Sequence, residues 1–229
     1  IDYNHYKNIK SKYENQIDMD VQRTFRSHPL FKEKYGAGQC RLFNILVSYS
    51  NYKPEIGYCQ GMSSIVAVIL MYFSEEEAFM FLEKLIKKNK LESLFDKKLS
   101  KLNLLLQVQK MVFEEEIPKI NSHFEKESIL STLYSTSWYL TLFTRFKLNL
   151  CLRIWDLFIF YDFSILIYLV VAILKYFENE ILNFEGEVLI EFVSKIEIFE
   201  IDVDRLFGIL QKMIDCNKIE KIRILLDLK

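Results

Sequence analysis

The sequence predicts an all-α protein, with many short helices in two lobes and a groove between them. Three observations carry that expectation. The 229 residues include only three prolines and six glycines, and none of the glycines lies between Gly61 and Gly186. A sheet protein of this length needs many more turn residues. Apolar side chains also recur at helical spacing: Leu42, Ile45, Leu46 and Tyr49 follow i, i+3, i+4, i+7, and Ala78, Phe81, Leu82 and Leu85 repeat the pattern, with Ile86 one step on. Finally, hydrophobic residues make up 51% of the chain, with 19 Phe and 13 Tyr, which excludes disorder and supplies a large core.

The elements follow in order. The stretch Ile17 to Thr24 reads as a helical turn that places Asp20 and Arg23 on one side. A helix through Leu42–Tyr49 ends at the connection Asn51-Tyr52-Lys53-Pro54, and Gly57 fits a turn after Pro54-Glu55-Ile56. The apolar run Met62 to Val68 opens the next helix. Ser74-Glu75-Glu76-Glu77 is a capping box for the one after it, with Lys84, Lys87 and Lys88 suited to its C-terminal end. Val203, Leu206, Phe207, Leu210, Met213 and Ile214 extend helical spacing over three turns. The whole of 1–229 is expected to form one domain. A charged stretch near Pro118 to Ser128 is expected to separate an N-terminal lobe of about 1–120 from a C-terminal lobe of about 121–229.

Residues 157–174 test whether the chain is soluble. This run of 18 residues is interrupted only by Asp162 and Ser164, and its length approaches that of a membrane span. Asp162 is costly in a bilayer interior. Asp162-Phe163-Ser164 also looks like a break between two shorter helices, with an N-cap candidate. A buried core segment is the expectation, and a helical membrane-anchored protein is the alternative. A cytoplasmic location follows, with no direct transmembrane insertion. No signal peptide precedes Ile1, and a chain lacking Met at position 1 is consistent with an excised fragment.

Composition excludes several functions. A formal net charge of −1 gives no electrostatic basis for binding nucleic acid. Cys40, Cys59, Cys151 and Cys216 are scattered without a C-x-x-C, which reads as reduced thiols rather than a zinc site. His5, His28 and His123 are too far apart in sequence to suggest a metal cluster, so no metal is expected. Gly36-Ala37-Gly38 lacks the following Lys-Ser or Lys-Thr pair of a phosphate loop, so no nucleotide site of the chain's own is expected. The runs Glu75–Glu77 and Glu114–Glu116 read as solvated charge. No local motif supports a Ser-His-Asp or Cys-His nucleophile.

Two polar residues remain. Arg23 carries a rigid cationic fork suited to phosphate. It could pair structurally with Asp20, stand as a solvated cation, or be presented to a partner with Asp20 holding its guanidinium. Gln60, in Gly57-Tyr58-Cys59-Gln60-Gly61-Met62, could be an ordinary residue at the start of a helix. The glycines beside it favour a side chain aimed outward, since Gly61 lets another backbone approach closely. An arginine and a water-orienting amide are both groups that chemistry on a nucleoside triphosphate requires.

These residues carry a resemblance. Ile17-x-x-Asp20-x-x-Arg23-Thr24 resembles the I-x-x-D-x-x-R signature of the TBC domain, the GTPase-activating module for Rab proteins. Tyr58-Cys59-Gln60-Gly61-Met62 is similar to that family's Y-x-Q-G-M motif. Trp138 to Phe143 and Arg153-Ile154-Trp155-Asp156 resemble its W-x-x-x-x-F and R-I-W-D elements. The blocks occur in the family's order from Ile17 to about Leu174, and past Phe177 only the helical pattern agrees. There are two departures. The proline usual between the last two blocks is absent from Thr144–Leu150, and the glycine usual after R-I-W-D is replaced around Tyr161-Asp162-Phe163.

The resemblance implies a GTPase activator rather than an enzyme with its own nucleotide site. Arg23 and Gln60 would be the catalytic fingers, entering the active site of a GTP-bound Rab. GTP and Mg2+ would be carried by that partner, and location at endomembranes would come through it. Asp20 would orient Arg23. Thr24, Tyr58, Gly61, Arg153 and Asp156 would support the site or contact the GTPase, and Trp155 would pack in the core. The alternative within the family is a non-catalytic Rab-binding scaffold.

Overall fold

Several of the few glycines and prolines fall where helices begin. Gly36 and Gly61 precede helices, Pro118 and Gly186 are the first residues of two others, and Gly208 lies inside one. The computed structural model describes residues 2–96 and 98–226. Among the described residues there are fourteen α-helices, three short 3-10 turns and no strand. The chain divides into two compact units, residues 1–100 with 140–144, and residues 101–139 with 145–229.

The first unit contains α1 (Tyr3–Lys7), α2 (Glu14–Arg23), α3 (Ala37–Tyr52), α4 (Met62–Leu70) and α5 (Glu75–Lys88). Helix α3 is its hub and packs against the other four. The predicted stripe Leu42, Ile45, Leu46 and Tyr49 is buried on it. Gly38 is required by this packing, because a Cβ there would run into the Leu30 carbonyl. The capping box forms as expected, with the Glu77 carboxylate accepting from the Ser74 N–H at 3.0 Å and the Ser74 hydroxyl at 2.6 Å. Helix α1 is fastened through Glu75, which accepts from the Tyr3 hydroxyl at 2.5 Å and the Lys7 ammonium at 2.6 Å.

The second unit contains α6 (Ser100–Glu116) from Lys101 on, α7 (Pro118–Lys126), α8 (Ser135–Leu140) as far as Tyr139, α9 (Leu148–Tyr161), α10 (Phe163–Tyr176), α11 (Glu178–Asn183), α12 (Gly186–Ser194), α13 (Val203–Met213) and α14 (Cys216–Leu225). Its first helix begins at Ser100, ahead of the boundary expected near Pro118. The reason is that α6 pairs forward along the chain. Buried Gln109 donates to Ser135 Oγ at 3.0 Å and accepts from the Tyr139 hydroxyl at 2.8 Å. Pro118 opens α7, where its missing N–H costs nothing.

The long apolar run is two helices, α9 and α10, broken at Asp162. Every residue from Phe163 to Leu174 is buried, and α10 packs against α9, α13 and α14. A helix that is apolar all round and covered on every side is a core element. No helix among the described residues is long and apolar enough to cross a membrane.

Candidate functional site

Helix α2 turns Ile17, Asp20 and Val21 to the interior and leaves Arg23 outside. The Asp20 carboxylate is buried, yet both its oxygens are satisfied. Oδ1 meets the Arg23 guanidinium at 2.5 Å, and Oδ2 accepts from the Tyr58 hydroxyl at 2.5 Å. The Asp20 side chain is 6% exposed and that of Arg23 is 62% exposed. One face of the guanidinium is therefore anchored from within while the rest meets solvent.

The helix ends at Arg23, with Thr24 as its C-cap. The Thr24 hydroxyl donates to the Asp20 carbonyl at 2.6 Å and lies 3.1 Å from Ser63 Oγ, on the first turn of α4. Phe25 follows with φ 46°, which turns the chain away. Tyr58 and Ser63 thus tie α2 to both sides of the segment that carries Gln60.

That segment is a tight turn. The Cys59 carbonyl accepts from the Met62 N–H at 3.1 Å, which places Gln60 and Gly61 at the two central positions. Gly61 has φ 106° and ψ −28°, close to the third residue of a type II turn, a conformation that requires glycine. A Cβ there would lie 2.9 Å from the Leu140 carbonyl oxygen, so the close backbone approach expected at Gly61 is present. Gln60 is exposed at the corner. It lies before α4 rather than within its first turn, because the turn residues are needed to aim the chain. Gly57 has φ 67°, and a Cβ on it would collide with the Tyr13 ring.

Electrostatics fix the protonation of the supporting groups. Burial, and then the hydrogen bond to Asp20, hold the Tyr58 hydroxyl far above its ordinary pKa, so it remains a donor. Burial and the Asp20 charge also push the Cys59 thiol up, which makes it a poor nucleophile. Among the described residues no three His, Cys, Asp or Glu side chains gather to hold a metal ion.

The last two motif blocks lie mainly in the second unit and are mostly core. Trp138 is fully buried and donates Nε1–H to Glu197 at 3.2 Å, while Arg145 reaches the same carboxylate at 2.7 Å. Trp155 is buried, as expected. Arg153 and Asp156 pair at 3.5 Å on the exposed face of α9, with the guanidinium 5.9 Å from the Phe207 ring centroid. Asp162, between α9 and α10, has φ 64° and ψ −157°, a backbone region that favours glycine. Its carboxylate compensates, accepting from the Ser164 N–H and from Arg223 Nε, each at 2.9 Å.

Residues 1–182 match the family model of the Rab-GTPase-TBC domain, and the chain belongs to that family. It is 34% identical over 194 residues to the Ecotropic viral integration site 5 ortholog of Drosophila melanogaster, covering 84% of this chain and 24% of that protein. It is 31% identical over 210 residues to the Rab GTPase-activating protein eat-17 of Caenorhabditis elegans, covering 90% of this chain and 24% of that protein. The chain therefore spans about a quarter of the length of these relatives (24% in each). Its fold resembles the crystal structure of the Chlamydomonas flagellar RabGAP TBC domain, with a TM-score of 0.82 at 22% identity, covering 92% of this chain and 72% of that one. It also resembles the Ypt/Rab-GAP domain of Gyp1p, with a TM-score of 0.77 at 16% identity, covering 91% and 75%.

Three supporting residues escape a reading of the sequence alone. Ser63 and Tyr13 have no motif that marks them. Leu140 contributes a backbone atom, which no sequence pattern encodes. A hydroxyl in the first turn of the apolar helix α4 is the one available signal for Ser63.

Proposed function

We propose that this chain is a GTPase-activating domain for a Rab-family small GTPase, supplying Arg23 and Gln60 to the partner's active site. The observation that carries the reading is the anchored but solvent-facing Arg23 guanidinium. It rests on a buried carboxylate that is bonded to Tyr58, two residues before the exposed Gln60. A cation held in this way reaches a transferring phosphoryl group with little reorganisation, and a turn-mounted amide orients the attacking water. The GTP-bound GTPase brings the nucleotide and Mg2+, and the domain contributes no cofactor of its own. The protein works in the cytoplasm and meets endomembranes through its partner, in the service of vesicle trafficking.

The test is single-turnover phosphate release from a panel of GTP-loaded Rabs. At least one is accelerated, and Arg23→Ala and Gln60→Ala each remove most of the acceleration, on the order of 10³-fold or more for the arginine. Circular dichroism of both variants remains that of the parent. A domain that holds GTP-loaded Rab without changing its hydrolysis rate is a scaffold, and that result overturns the reading.

A further inference from the structure

The Asp20 carboxylate has two oxygens and two partners on different segments. Oδ1 holds Arg23, three residues along the same helix, and Oδ2 holds the Tyr58 hydroxyl, 38 residues away in sequence. With Tyr58 present the carboxylate satisfies both partners at once. Without the hydroxyl it can rotate about its terminal torsion, which is broad for aspartate, and the guanidinium that rests on it loses a fixed seat. A second strap, Thr24 to Ser63, holds the backbone of the same two segments together. Removal of the Tyr58 hydroxyl therefore frees the carboxylate and leaves α2 and the turn in place.

We infer that Tyr58 is a positioning residue for Arg23, acting through Asp20, so that the arginine and the Gln60 turn form one mechanical unit. This rests on the function proposed above. Tyr58 touches neither nucleotide nor water in this role. Its effect is on the maximal rate, reached only when the arginine is correctly aimed, and not on affinity for the GTPase.

The experiment is a double-mutant cycle on the intact domain with its best GTP-loaded Rab. Tyr58→Phe keeps the buried ring and lowers the saturating single-turnover rate by roughly 10- to 100-fold, the worth of one charge-assisted hydrogen bond. The concentration giving half-maximal rate stays within about twofold of the parent, inside the scatter expected of a contact-free site. In the Arg23→Ala background the same change has little further effect, because nothing remains to be aimed. Asp20→Asn reproduces this pattern, which provides a second route should Tyr58→Phe melt early. Tyr49→Phe is the matched control: it removes another buried tyrosine hydroxyl bonded to a carboxylate, that of Glu83 at 3.2 Å, and leaves the rate unchanged.

Full activity in Tyr58→Phe, or equal losses in the parent and Arg23→Ala backgrounds, overturns the inference while leaving the arginine assignment intact. Full activity in Arg23→Ala overturns both, since there is then no finger to position.

Discussion

Among the described residues two aspartate–arginine ion pairs have i, i+3 spacing, Asp20 with Arg23 on α2 and Arg153 with Asp156 on α9. On the sequence they look equivalent. In the structure they differ in one respect that decides the rest. The Asp20 side chain is 6% exposed and Asp156 is 68% exposed, while the two arginines match at 62% and 63%. A buried carboxylate has no water to satisfy it, so every bond it makes must come from protein. It therefore acquires Tyr58 as a second partner and holds its arginine at 2.5 Å, against 3.5 Å for the exposed pair. Spacing brings two charges together. Burial of one of them is what fixes the other in place.

The largest effect that tests this contrast is on GTPase activation. Arg23→Ala is expected to reduce the saturating phosphate-release rate by on the order of 10³-fold or more. Arg153→Ala is expected to leave that rate unchanged and to act, if it contacts the GTPase, only on the concentration giving half-maximal acceleration. Equal losses in maximal rate from the two variants break the contrast.

Stability separates the carboxylates next. Asp20→Ala strands the buried Tyr58 hydroxyl and is expected to cost about 1–3 kcal/mol in urea unfolding. Asp156→Ala leaves only solvated groups and stays within about 0.5 kcal/mol of the parent. A parent-like midpoint for Asp20→Ala shows that water or a rotated side chain replaces the lost partner.

The two finger candidates and their motifs were legible in the sequence, because each block is local. Helix boundaries were legible for the same reason: the stripe on α3, the box at Ser74 and the break at Asp162 each rest on residues within a few positions. The joints between blocks were not. Tyr58 reaches Asp20 across 38 residues and Thr24 reaches Ser63 across 39. Neither partner is marked by spacing, since it is the packing of α2 beside α4 that brings them together. The division at Ser100 was hidden likewise, because α6 looks the same in sequence whether it pairs backward or forward.

Two positive-φ positions differ in the same way, by what surrounds them. Gly61 and Asp162 both occupy backbone regions that favour glycine, at φ 106° and 64°. Asp162 tolerates its conformation because its carboxylate gains a cap and an arginine, whereas a side chain on Gly61 meets the Leu140 carbonyl. Asp162→Gly is expected to stay within about 1 kcal/mol of the parent, since relief of strain offsets the lost cap. Gly61→Ala is expected to cost about 1–3 kcal/mol and to reduce activation by displacing Gln60. Differential scanning calorimetry with the release assay reads both. A stable, active Gly61→Ala shows that the backbone at Leu140 yields.

The smallest effect concerns what each pair is worth as a pair. Arg153 and Asp156 face water on all but one side, and water competes with both ions. Holding the long Arg153 side chain in one geometry also costs entropy, so a double-mutant cycle between them is expected to give about 0.2–0.5 kcal/mol. Raising salt to 1 M shortens the screening length to about 3 Å, less than their separation, and is expected to erase that coupling. The Asp20–Tyr58 bond lies out of reach of counterions and involves a neutral donor. The cycle between Asp20→Asn and Tyr58→Phe should therefore keep its value over the same salt range. Coupling at Arg153–Asp156 that persists in 1 M salt means the pair is held in one geometry against screening, with the Phe207 ring beside Arg153 as its support, and Phe207→Leu is the variant that tests this.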